Sequence, residues 1–211
     1  MGDKSMIKKA KQAYIREKDF FTRSLFKIFI ALAVLYLLSA AAGYIVSIQN
    51  PEFADRIFNS IKESYESKGL LDVSSNFDLF LLVFFNNAVA AFVSLVSGVI
   101  PFLCLSAISV VGNGFLLGVI GAVVLSQGKG VLAALMSLLP HGIVELPVFF
   151  YASSLGVYLM LNISKKILGQ PVRIRSVFKN SIRSFIIIVV PLLLLAAFLE
   201  AYVTYAIVKD Y

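Results

Sequence analysis

Between Phe77 and Gln127 the chain carries one charged residue, Asp78. About 20 apolar residues are enough to cross the hydrocarbon of a bilayer. The stretch is too long for one crossing and predicts two membrane helices joined by a short uncharged turn. Pro101 is expected to kink or break the first, because proline removes a backbone donor and crowds the preceding turn. Gly112-Asn113-Gly114 is expected to start the second, leaving a set of backbone N–H groups open to an anion or polar partner. Gly114, Gly118 and Gly121 then form a small-residue face suited to close helix contact, and Gly112 is a further expected packing position.

Three further runs have the same character. Ile28 to Ile48 holds no charge and is closed by Asn50-Pro51. Val131 to Leu161 exceeds one straight span and contains Pro140 and Pro147. A half-helix, a break near Pro140 and a second helix are expected there. Phe185 to Val208 is the last span, with Pro191 in its first half. A chain that is 59% hydrophobic and 15% charged would expose too much apolar surface in water. The predicted class is all-α, a polytopic membrane helical bundle of about five spans, with broken helices near Pro101 and Pro140 and interfacial amphipathic helices.

The charges set the topology. The net charge of +7 comes from basic residues flanking the apolar runs, so it points to cytoplasmic anchoring beside anionic lipid and not to nucleic acid. Residues 1–27 read as a cytoplasmic amphipathic basic segment ahead of a transmembrane domain over 28–211. Within that domain, residues 50–77 have an acidic balance, and Phe53, Ile57, Ile61 and Tyr65 predict a helix along the outer surface. Residues 162–184 carry Lys165, Lys166, Arg173, Arg175, Lys179 and Arg183 with no acid, and read as a cytoplasmic basic loop. Five crossings put both basic segments inside, with the N-terminus cytoplasmic and the C-terminus outside. The polar leader is far longer than the charged region of a cleaved signal. The single cysteine, Cys104, excludes an intrachain disulfide and reads as a small core residue.

Polar groups within the apolar runs are the candidate functional residues: Asn86, Asn87, Asn113, His141, Glu145, Glu200 and Thr204. His141 is the only histidine, and Glu145, four residues on, shares its helical face. Gly142 removes bulk beside the pair. Ionisable residues at bilayer depth face a bundle interior or a wet cavity. One reading has the set bonding to itself and to freed backbone groups, fixing which helices meet. A second makes His141 and Glu145 part of a transport path or proton relay. A third makes His141, Glu145 and Glu200 ligands of a divalent metal in a membrane enzyme, although the local sequence lacks a third ligand. Ser137, Ser153 and Ser154 sit near the pair without a nucleophile motif. No cofactor is predicted. The expected partners are the bilayer and other membrane or membrane-associated proteins. The glycine-rich face leaves homodimerisation open.

Phe85-Asn86-Asn87, Gly112-Asn113-Gly114 with Gly118, Pro140-His141-Gly142 with Glu145, and Glu200 with Thr204 occur in that order. In this the chain resembles the stage II sporulation protein M family of integral membrane proteins, over roughly residues 20–210. The Pro-His-Gly-x-x-Glu element is its most specific part. The resemblance implies a multi-span membrane protein. In spore-forming bacteria the family's namesake is similar in role to a scaffold, holding peptidoglycan-degrading partners during engulfment.

Overall fold

The computed structural model describes residues 2–67, 75–128 and 131–204; for residues 2–7, 9, 10, 65, 131–143, 203 and 204 it describes the backbone alone. Among the described residues the elements are α1 (Gly2–Phe20), α2 (Phe26–Gln49), α3 (Pro51–Ser67), α4 (Asn76–Ser97), α5 (Leu105–Ser126), α6 (Val131–Ile167), α7 (Ile174–Ser184) and α8 (Val190–Leu199). Three π-helical turns, Phe21–Leu25, Phe185–Val189 and Glu200–Thr204, punctuate them. The first joins α1 to α2 and the second joins α7 to α8. Phe20, Phe26, Ser184 and Val190 at their edges all keep right-handed helical torsions.

Five stretches are long and apolar enough to cross a membrane: Lys11–Gln49, Asn76–Ser97, Leu105–Ser126, Val144–Ile167 and Ile174–Tyr202. The 22 residues of α4 and of α5 each give about 33 Å of helix, enough for the hydrocarbon thickness. Within the chain, 61% of the apolar stretch of α6 is buried, against 22% for α4. That contrast makes α6 the axis of the bundle and leaves α4 a broad outward face. Around α6 pack α2, α4, α5, α7 and α8, with Val148, Ala152, Leu155 and Leu159 as its core.

The most extensive helix pair is α2 with α5, and glycine is the reason. Gly114 and Gly118 lie against the backbone of Tyr36 and Ala40, and Gly43 against that of Phe115. Any side chain there would hold the backbones apart. Ser39 Oγ donates to the Val111 carbonyl across the same seam at 2.7 Å. Gly112 and Gly121 have open space where a Cβ would project. The glycine face is therefore used within the chain at Gly114 and Gly118 but not at Gly121, and Gly43 completes it from the other side. Gly142 lies among the residues whose side-chain surroundings are outside the description.

Two expectations of local structure are corrected. α6 runs unbroken from Val131 to Ile167, so there is no break near Pro140. Proline removes one ladder bond, whereas unwinding at bilayer depth would strand several backbone groups where water is absent. The continuous helix is the cheaper solution. Gly112-Asn113-Gly114 is the middle of α5, which starts at Leu105. Its N–H groups belong to the helical ladder and are not free for an anion. The break near Pro101 does occur: α4 stops at Ser97, and residues 98–104 form the turn to α5. Phe102, with φ of 62°, adopts a left-handed conformation in that turn, and its N–H donates to Ser164 Oγ on α6 at 3.0 Å.

The flanking segments are more helical than their charges suggest. α3 is helical as expected and seats Ala54, Ile57 and Phe58 on Val119 and Val123 of α5. The basic segment is largely the end of α6 and the whole of α7, separated by residues 168–173.

Candidate functional site

Asn87 lies in the middle of α4, on the side turned toward α6. Its Nδ2 donates to Glu145 Oε1 at 2.7 Å, in a half-buried setting. Glu200 opens the last π turn and lies beside the Glu145 carboxyl group. Three helices thus meet through three side chains, and the π turn falls where the last helix presents Glu200 to Glu145. Such turns are uncommon and concentrate at functional positions.

His141 precedes Glu145 by one helical turn, and Thr204 follows Glu200 by one; the side chains of both lie outside the described residues. Asn86 is exposed and points away from the Asn87–Glu145 contact. Asn113 is also exposed, and its Nδ2 donates to the Ser109 carbonyl of its own helix at 2.9 Å. Of the candidate metal ligands, Glu145 and Glu200 are brought together. Among the described residues no group of three His, Cys, Asp or Glu side chains is arranged around a common point. Ser153 pairs with Ser94 at 3.0 Å, and Ser154 donates to the Phe150 carbonyl at 2.6 Å. Both hydroxyls are engaged in helix packing, two turns or more from Glu145. A groove of about 300 Å³ between α2 and α3, lined by Gln49, Glu52 and Arg56, is separate from the site.

Sequence reasoning missed two polar layers nearer the basic end of the bundle. In the first, Ser94 and Ser153 pair, Ser97 pairs with Ser106 at 2.9 Å, and Ser106 donates to the Ser94 carbonyl at 2.7 Å. Gly98 and Gly156 approach backbone to backbone beside it. In the second, Arg183 Nε donates to Glu17 Oε1 at 2.6 Å and Tyr151 pairs with Ser184 at 2.6 Å. Ser94 and Ser153 each sit near two turns from Asn87 and Glu145. The available signal was small serines within apolar helices: Ser94 and Ser97 on α4, Ser106 on α5 and Ser153 on α6. Ala91, Val148 and Ala152, all buried, fill the interval between the serine layer and the Asn87–Glu145 contact. The polar layers are stacked but not continuous among the described residues.

Residues 32–205 match the family model described as Stage II sporulation protein M. No curated protein and no solved structure matches the chain.

Proposed function

The chain belongs to the stage II sporulation protein M family, and we propose that it acts as an integral membrane scaffold that organises membrane or membrane-associated partner proteins. In this reading the N-terminus and the Lys165–Arg183 segment are cytoplasmic and the C-terminus is outside, which the distribution of basic residues supports. The observation that carries the proposal is the stacking of separate polar layers. Asn87, Glu145 and Glu200 join three helices, and buried apolar side chains separate them from the serine layer. Groups arranged in this way fix helix register; a permeation path needs polar groups that follow one another.

The carboxyl–carboxyl contact favours a second reading, a proton-linked transporter. Replacement of Glu145 separates the two. Glu145→Ala leaves the Asn87 amide and Glu200 without their partner, which costs about 1–3 kcal/mol, and folded yield and partner capture are expected to fall together. Glu145→Gln keeps an acceptor for Asn87 and a donor for Glu200, and should restore both. Proteoliposomes carrying the unaltered protein should show no proton-driven flux at mildly acidic or neutral pH. Flux that Glu145→Gln abolishes while the fold survives would replace the scaffold with the transporter.

A further inference from the structure

α4 has two unlike faces. Asn87, Ala91, Ser94 and Leu95 turn inward. Leu79, Leu82, Asn86, Val89, Val93 and Val96 recur at alternating steps of three and four, which is the spacing of a two-helix seam. Val89, Val93 and Val96 are 60%, 59% and 45% exposed, and Asn86 is exposed. Asn86 is the one polar residue of the seam, and it sits near the middle of α4, close to the bilayer midplane. Its amide has no hydrogen-bond partner among the described residues. Acyl chains offer none, so an amide turned toward them loses the bonds it makes in water without replacement.

We propose that this face of α4 is the interface with a second copy of the chain, in which the two Asn86 amides hydrogen-bond to each other. A primary amide carries both donor and acceptor, so two of them related by a two-fold axis satisfy each other. Two copies inserted with the same orientation bring their α4 helices together in parallel, and both Asn86 side chains then lie at one depth by symmetry. A different partner would have to place a polar group at that height independently. One asparagine in an otherwise apolar seam fixes register and pair formation. The glycine face of α5 is not open for this purpose, because α2 covers Gly114 and Gly118. The proposal is independent of the scaffold reading.

The test uses the full chain in phosphatidylcholine–phosphatidylglycerol vesicles. Energy transfer between copies labelled at the N-terminus reports dimers, and circular dichroism reports the fold. Asn86→Leu alters a side chain outside the packed core and should leave the helical signal unchanged while weakening dimerisation about tenfold, as loss of two interhelical polar bonds predicts. Asn86→Gln should restore it. In a Cys104→Ser background, oxidation of Val89→Cys and Val93→Cys should give disulfide dimers, and Phe92→Cys, exposed but off the seam, should not. A monomer at all protein-to-lipid ratios, equal dimerisation of Asn86→Leu and the unaltered chain, or equal cross-linking from all three cysteines would overturn the proposal.

Discussion

Arg183→Ala is expected to destabilise the folded bundle by about 3–5 kcal/mol, the usual cost of leaving one member of a buried ion pair alone. Glu17 is 3% exposed, and Arg183 Nε lies 2.6 Å from its Oε1. Arg183 Nη1 also donates to Asn180 Oδ1 at 2.8 Å, and its guanidinium stands 6.0 Å from the centre of the Phe20 ring. Glu17 Oε2 is buried without a partner, so the carboxylate leans on this one arginine. Arg16 approaches the same oxygen only to 3.7 Å from a side chain that is 55% exposed, a contact worth well under about 1 kcal/mol. Arg16→Ala therefore serves as the control and should change little. Arg183→Lys should recover part of the loss, because an ammonium cannot reproduce the planar fork. Joint replacement by Glu17→Leu and Arg183→Leu should recover most of it, since the charge to be buried is then gone. Denaturant titration in detergent micelles, followed by circular dichroism, measures each difference. Equal loss from Arg16→Ala and Arg183→Ala would show that the pair does not hold α1 to the last span.

That ion pair also marks the limit of what the amino-acid order discloses. Apolar length and charge placement lead directly to the five crossing stretches, because the bilayer sets both the length of a span and the side on which basic residues gather. Which residue of a span faces which neighbour depends on helix phase, and a uniformly apolar helix carries little phase information. Asn86 and Asn87 look equivalent in the sequence, yet one bonds to Glu145 and the other faces outward. Glu17 sits in a basic segment, where an acid reads as a solvated neighbour of lysines; only its meeting with Arg183, at a sequence separation of 166, reveals its burial. The π turns add to the difficulty. Each shifts the phase of the residues that follow, so a 3.6-residue pattern carried through Phe21–Leu25 or Phe185–Val189 assigns the wrong side chains to the core. Proline misleads in the other direction: Pro140 suggests a break by the rules of helices in water, and the absence of water at bilayer depth reverses the preference.

The glycines of α5 show the same dependence on phase and give the second large effect. Gly118→Ala should destabilise the bundle by about 1–3 kcal/mol, the range for forcing extra bulk into a packed contact. A Cβ at Gly118 would strike the Ala40 carbonyl and the Tyr44 backbone nitrogen, and neither is the end of a flexible side chain that can swing aside. The α2 helix must move away, carrying the Gly43–Phe115 and Gly114–Tyr36 contacts with it and stretching the Ser39–Val111 hydrogen bond. Gly112→Ala and Gly121→Ala meet open space and should raise stability by up to about 1 kcal/mol, because alanine favours the helix over glycine. Opposite signs within one helix, read from unfolding midpoints of the three variants in the same detergent, would distinguish an α2-covered face from an open one. If all three substitutions destabilise alike, Gly112 and Gly121 are also in close contact with a neighbour in the membrane.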